Sequence, residues 1–209
     1  MPVKTLLFIL RLLLFGLLIF FLEPISYFTH LARGNLKLMV SSKSLNEVPL
    51  AYQERFTQVI GALSFAKDSL GLNPGRAYHS YLHHESPLLY VVSGSKAFAL
   101  QRLEWYYPIL GSLGYKGFFY LSEAEREANI WRERGYSVAI RPVNAWSTLG
   151  FLPDPVTTYM LDQKPGVLYE ILFHEITHQH VYVSGDDAFN ENLAQHVGQE
   201  AAKRYLLFL

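Results

Sequence analysis

A pair of histidines four residues apart, His174 and His178, constrains how the surrounding stretch can fold. In an α-helix the two side chains stand one turn apart on the same face, with Cβ atoms about 6 Å apart, so both imidazoles can bind one metal ion. Glu175, directly after the first histidine, projects beside the pair and can reach a water on the metal without being a ligand. The spacing therefore predicts a hydrolytic zinc site with Glu175 as general base.

The residues around this motif are typical of two consecutive helices. Pro165-Gly166 can begin the first helix, an apolar stripe follows at helical spacing, and the turn-forming run Ser184–Asp187 ends it. The second helix is predicted from about residue 188 to residue 205, with Asp187 as its N-cap. Because the connecting loop is short, Glu191 in the first turn of the second helix returns toward the histidines. It is the predicted third ligand, and it leaves one tetrahedral position for water, as in catalytic zinc sites.

The HExxH spacing alone is weak evidence, because it also arises by chance and because a histidine on an apolar helix face is usually a hydrogen-bonded core residue. The helix, the break and the downstream carboxylate together favour a metal site. The longer pattern with a third histidine is absent, since Val181 stands where that pattern needs glycine. A carboxylate is therefore preferred as the third ligand.

Tyr182 follows His178 by four residues and would share the helical stripe of the ligands if the helix extends that far. Its hydroxyl is then a candidate to stabilise the oxyanion of the reaction. Packing of Tyr182 against the second helix explains its position equally well, so both interpretations stay open.

The N-terminal segment predicts a membrane anchor. Residues 5–22 form an apolar run that only Arg11 interrupts, and this length just allows a helix to span a bilayer. Small residues suited to signal-peptide cleavage do not follow Leu22, so residues 1–24 are predicted to be an N-terminal membrane anchor or uncleaved signal segment. Residues 25–209 are enough for one domain with a single core.

The segment between the anchor and the metal helix mixes helical and strand patterns. A helix is predicted over residues 49–70, with Gly71 as its stop, and another from a capping box at Ser122 to Gly135. Residues 88–103 are predicted to form a hairpin, and residues 136–141 a strand that Pro142 terminates. The predicted fold class is therefore α+β.

Charge and cysteine content exclude two kinds of function. The formal net charge is zero, which gives no electrostatic footprint for nucleic acid. The chain has no cysteine, so disulfides and thiolate metal sites are excluded and any metal must be held by histidine and carboxylate.

The chain resembles the predicted bacterial aminopeptidases of the gluzincin type, many of which carry lipoprotein signals. The resemblance extends from about Tyr27 to the end and rests on several blocks in the same order: Trp105, Pro108, Gly111, Tyr115–Phe119, Trp146–Phe151, His174–Gln179, Tyr182, Asp187, Phe189–Glu191 and Ala194. It implies a zincin-like metallopeptidase domain, His174, His178 and Glu191 as zinc ligands, Glu175 as catalytic base, and a peptide substrate. It also implies a location at the cell inner membrane, with the catalytic domain in the periplasm.

The chain departs from this family in two ways. It lacks the lipid-bearing cysteine near the N-terminus, and it stops where such proteins usually continue beyond the second helix. We therefore expect a C-terminally truncated domain whose apolar segment Tyr205–Leu209 is covered by a second copy or another partner. Two alternatives stay open: a membrane-anchored zincin-like binding or scaffold module with little turnover, and an endopeptidase rather than an aminopeptidase.

Overall fold

The structure is a computed structural model that describes residues 27–84, 87–107, 111–143, 148 and 152–209. The chain divides into two compact units, Met1–Leu38 and Met39–Leu209. Helix α1 covers residues 27–41. The predicted domain boundary at residue 24 lies outside the described residues and stays a prediction.

The predicted fold class needs one correction. The described elements are helices and strands of an α+β protein, as expected, but none of the described helices is both long and apolar enough to cross a membrane. The two longest, α2 (Leu50–Leu70) and α6 (Asp187–Phe208), carry charged side chains along their exposed faces. Residues 5–22, to which the prediction assigned a transmembrane helix, lie outside the described part of the chain. The described residues therefore show an α+β fold, and the predicted transmembrane helix is not among their helices.

A helical layer contains most of the core. A short 3-10 helix, Leu45–Glu47, precedes α2, and Gly71 caps α2 with φ 69°, a conformation that glycine adopts without strain. Helices α4 (Thr158–Asp162) and α5 (Pro165–His180) pack with α2 and α6. Aromatic rings fill the space between them, with ring centroids 4.8 Å apart for Tyr169 and Tyr205. The prediction of helix 49–70, with its stop at Gly71, is therefore confirmed.

Three small sheets flank this layer. Strand β2 (Leu89–Lys96) lies between β5 (Tyr115–Phe118) and β6 (Tyr136–Val143), and it is antiparallel to both. Strands β3 (Trp105–Tyr107) and β4 (Gly111–Leu113) form an antiparallel pair, whereas β1 (Tyr81–Leu82) and β7 (Val156–Thr157) form a parallel pair.

The predicted hairpin over residues 88–103 has its turn in the wrong place: the chain folds back after Lys96, where Ser95 and Arg102 form an antiparallel bridge and the Leu103 N–H donates to the Gly94 carbonyl at 2.8 Å. Strand β2 continues through Ser93–Lys96, the predicted turn, because these residues pair with β6 up to Lys96 opposite Tyr136. The predicted stop at Pro142 is also wrong, since Pro142 lies within β6 opposite Tyr90. Among the described strands β6 is an edge strand, where a residue without an N–H group is tolerated.

Helix α3 (Leu121–Glu133) packs on this sheet through a buried carboxylate. Glu127 accepts hydrogen bonds from the indoles of Trp105 (2.8 Å) and Trp131 (3.0 Å), and from Lys116 Nζ at 2.9 Å. Burial alone would raise the pKa of Glu127, but these hydrogen bonds and the Lys116 charge outweigh it and hold that pKa below its usual value. The ion pair therefore fixes the face of β5 that carries Lys116 against α3.

The apolar end of α6 is divided between core and surface. Tyr205 is buried, whereas Leu206, Leu207, Phe208 and Leu209 are exposed. A partner or second copy that covers this segment stays a prediction.

Asp154 should make stability depend on pH. Burial raises the pKa of Asp154 from its ordinary 3.8 to about 6, although Thr148 donates to Oδ2 from its N–H (2.8 Å) and Oγ1 (3.1 Å). The pKa of Asp154 is higher in the folded than in the unfolded protein, so protonated Asp154 stabilises the fold at low pH. This contribution to stability is lost as the pH rises from about 4 to 6. Asp154→Asn keeps an acceptor for Thr148 and cannot ionise. Urea unfolding should show that the free energy of unfolding of Asp154→Asn, relative to that of the wild type, rises by about 2 kcal/mol across that interval. A pH-independent difference would contradict this.

Candidate metal centre

The candidate centre lies between α5 and α6, which pack against each other along their lengths. Pro165 is the first residue of α5, where its missing N–H costs no helical hydrogen bond. Helix α6 begins at Asp187, one residue earlier than predicted, and its N-cap is Asp186, whose Oδ1 accepts from the N–H of Phe189 at 3.0 Å. The predicted N-cap, Asp187, instead lies inside the helix.

The three predicted ligands meet at this interface. The Nε2 atoms of His174 and His178 are 3.1 Å apart, and each is 3.5 Å from one carboxylate oxygen of Glu191. All three donor atoms lie within 4.8 Å of one another. The structure thus contains a group of two histidines and one glutamate that can hold a metal ion.

The charges of this group suit a cation. Burial lowers the pKa of His178, and the hydrogen bond from His174 lowers the pKa of Glu191. A neutral imidazole and an ionised carboxylate are the forms that bind metal. The donor set therefore fits a metal ion and leaves room for water or substrate as a further ligand.

Glu175 lies beside this group, as expected for a residue that follows His174 on the helix. Burial lowers the pKa of His174. The hydrogen bond with Glu191 and the negative charge of Glu175 act in the other direction and contribute to a net rise of that pKa. A second carboxylate, besides that of Glu191, therefore lies near the group.

Tyr182 is close to the centre, but not for the predicted reason. Helix α5 ends at His180, and Val181 is extended with φ −134° and ψ 115°, so Tyr182 lies in the loop before α6. Burial raises the pKa of Tyr182, and the negative charges of Asp187 and Glu191 raise it further. A helical stripe shared with the histidines is thus wrong, whereas the role of Tyr182 in the reaction stays a prediction.

Arg102 supports the first turn of α6 and was not identified from the sequence. Its guanidinium donates to both carboxylate oxygens of Asp187, and the Gly114 N–H donates to Asp187 Oδ2 at 3.3 Å. Asp187 stands one turn before Glu191, so this contact fixes the helix that carries the third ligand. The sequence contains no signal for it, because Arg102 and Asp187 are 85 positions apart.

Glu170 and Gln195 form a second contact that the sequence did not reveal. Glu170 Oε1 accepts a hydrogen bond from Gln195 Nε2, one turn before His174 on α5 and one turn after Glu191 on α6. This bond joins the two helices on the side of the ligands opposite to the Asp187 contact.

Gly198 permits the close approach of the two helices at His174. A Cβ at this position would lie 2.9 Å from the Glu170 carbonyl oxygen and 3.1 Å from the His174 backbone nitrogen. Gly198→Ala should separate the helices here, cost about 1–3 kcal/mol and weaken metal binding. Thermal unfolding and metal titration measure both effects.

Gly166→Ala is the matched control for this prediction. It lies in the same pair of helices, and its added Cβ would meet only Leu206 Cδ1 at 3.6 Å, an ordinary contact. Alanine in a helix should leave stability unchanged or raise it by about 0.5–1 kcal/mol. Equal behaviour of the two variants would show that the close approach at Gly198 is unimportant.

Comparison with known proteins identifies the family of the chain. A family model described as "Putative aminopeptidase" matches residues 26–208, which include every residue of the candidate centre. No curated protein and no solved structure matches the chain. On the strength of the family model, which covers nearly all of its length, the chain belongs to the putative aminopeptidase family.

Proposed function

We propose that this protein is a zinc-dependent aminopeptidase in which His174, His178 and Glu191 hold the metal and Glu175 is the general base. Membership of the family indicates peptidase activity. The observation that carries the more specific proposal is the convergence of His174, His178 and Glu191, with nitrogen and oxygen atoms 3.1–3.5 Å apart. His178 is buried and the His174 side chain is only 17% exposed, so bringing both imidazoles beside a carboxylate costs hydration that a bound cation would offset.

Zinc is the metal that the donor set favours. Two imidazole nitrogens and one carboxylate oxygen are typical ligands of catalytic zinc, and the chain has no cysteine that would suit softer metals. When bound, zinc would supply a Lewis acid for the scissile carbonyl and lower the pKa of a water molecule to about 7.

Glu175 performs the proton transfers of the proposed reaction. Its carboxylate takes a proton from water while the water oxygen forms a bond to the carbonyl carbon. It then gives this proton to the amide nitrogen as the C–N bond breaks, so the products are a carboxylic acid and an amine, and at neutral pH the acid proton passes to the amine. Its position directly after His174 on α5 holds it beside the ligands throughout.

The test combines metal analysis with a peptide digest. The purified protein should contain about one zinc per chain, lose hydrolysis after removal of the metal by a chelator, and recover it with added zinc. Peptides with a free amino terminus should be cleaved from that end, and their acetylated counterparts should resist. A zinc-loaded protein that cleaves neither set would overturn the peptidase proposal. Equal cleavage of both sets would overturn only the aminopeptidase part.

A further inference from the structure

We propose that Tyr115, the first residue of β5, is a catalytic residue whose hydroxyl donates a hydrogen bond to the scissile carbonyl oxygen as that oxygen becomes negatively charged. This inference rests on the proposed peptidase function and deepens it. It assigns the oxyanion contact to a strand far upstream of the metal helix, rather than to Tyr182 in the loop after that helix.

The direction of the Tyr115 side chain follows from the other face of β5. Successive residues of a strand point to opposite faces. Lys116 points toward α3, because its Nζ lies 2.9 Å from Glu127 Oε2, and it stands over the Phe118 ring at 5.7 Å. Tyr115 therefore points away from α3.

Contacts with α6 and the loop before it bring the start of β5 close to the metal centre. The N–H of Gly114, the residue before Tyr115, donates to Asp187 Oδ2 at 3.3 Å. Gly111 lies against Gly185 in the loop that precedes α6, where an added Cβ would be 2.5 Å from the Gly185 nitrogen. The chain on the N-terminal side of Tyr115 is thus attached to α6 one turn before Glu191.

The groups that act electrostatically on the Tyr115 hydroxyl include one proposed ligand and the proposed base. Burial makes the largest contribution to raising the pKa of Tyr115. Smaller electrostatic contributions in the same direction come from Glu191, Tyr182, Glu175 and Asp187. The corresponding neighbours of Tyr182 are Asp187 and Glu191, without Glu175. The residue still exposes 38% of its surface, so a substrate can reach it. Tyr115 is therefore the tyrosine that lies near both the third ligand and the proposed base.

The hydroxyl fits the chemistry that remains after Glu175 has its role. When the water oxygen bonds to the carbonyl carbon, the π electrons move to the carbonyl oxygen, which then needs a hydrogen-bond donor. A protonated phenol donates without giving up its proton. When the C–N bond breaks, the carbonyl reforms and the hydrogen bond weakens, so Tyr115 ends the cycle unchanged.

Replacement of Tyr115 by phenylalanine tests the proposal, because only the hydroxyl is removed. Tyr115→Phe should keep its zinc and its melting temperature, keep KM within about threefold, and lower kcat by about 10²–10³-fold, the usual effect of losing one oxyanion donor. Affinity for a phosphinic pseudopeptide, whose tetrahedral oxygens imitate the transition state, should fall by a similar factor. Calorimetry measures that affinity without turnover.

Two further variants make the result decisive. Tyr106→Phe changes a side chain that is 76% exposed on β3, and it should match the wild type in every measurement. Tyr182→Phe should lower kcat much less than Tyr115→Phe.

Four results would overturn the role of Tyr115: an unchanged kcat in Tyr115→Phe, a loss of zinc in that variant, a fall in kcat without weaker phosphinic binding, or a larger fall in Tyr182→Phe. In each of them the proposed function stands as long as the zinc-loaded wild type cleaves peptides. A wild type that neither cleaves peptides nor binds the phosphinic compound would overturn both proposals together.

Discussion

Glu175→Gln is expected to retain about one zinc per chain and to lose peptide hydrolysis by about two to four orders of magnitude, the contribution of a positioned general base. Glutamine keeps the size of the side chain beside His174 and removes only the proton acceptor. The three proposed ligands are untouched, so metal content and unfolding temperature should match the wild type. Elemental analysis and initial rates on the same preparation measure the two quantities independently.

Glu200→Gln serves as the control for this prediction. Glu200 lies on the exposed side of α6, where it contacts only Lys203, at 3.7 Å, among the ion pairs of the described residues. The same chemical change there should alter neither zinc content nor rate. Zinc loss in Glu175→Gln, or full activity in it, would refute its role as base. Equal inactivity of zinc-loaded wild type and Glu175→Gln would favour a binding module without turnover.

His178→Ala should lower zinc affinity by about 10²–10³-fold. Apparent binding free energies of about 10–16 kcal/mol at structural zinc sites with four ligands correspond to about 2.5–4 kcal/mol for each ligand. His178 is almost fully buried, so water can replace the lost nitrogen only by entering the space left behind. Competition with a chromogenic chelator measures the dissociation constant directly, without a substrate.

His196→Ala is the matched control, because His196 is an exposed histidine on α6 outside the three-residue group. It should bind zinc as the wild type does. If His178→Ala kept wild-type affinity, or if His196→Ala lost zinc to the same extent, the assignment of ligands would be wrong.

Local patterns made the centre predictable from the sequence. His174 and His178 are related by one helical turn, and Glu191 follows across a short loop, so no long-range information was needed to bring them together. Helix α2 was predictable for the same reason, since its apolar spacing and Gly71 lie within one segment.

The contacts that depend on distant residues were not predictable. The turn of the predicted hairpin was assigned to Ser93–Lys96 because of its composition, yet pairing with β6 and β5 outweighed that local preference and the turn follows Lys96. The contact between Arg102 and Asp187 joins residues 85 positions apart. Tyr115 belonged to a recognised block, but only Lys116 and Glu127, seen in contact, reveal toward which face it points.

The end of α5 illustrates a different difficulty. The prediction extended the helical stripe to Tyr182, whereas the chain becomes extended at Val181. A β-branched residue costs a helix little, so the sequence does not mark this end strongly. Asn190 supplies the missing cause, since its side chain bonds the N–H (2.7 Å) and the carbonyl (2.8 Å) of Val183 and so satisfies the loop backbone from α6.

The placement of all three proposed ligands on two consecutive helices has a consequence for the order of folding. Contacts between segments close in sequence form sooner than contacts that close long loops. Helices α5 and α6 can therefore associate and capture a metal ion while β5, far upstream, is still unattached. We expect the folding protein to bind zinc before it can hydrolyse peptides. The strand that carries Tyr115 is attached to α6 through Gly114 and Asp187, and this nonlocal contact forms later.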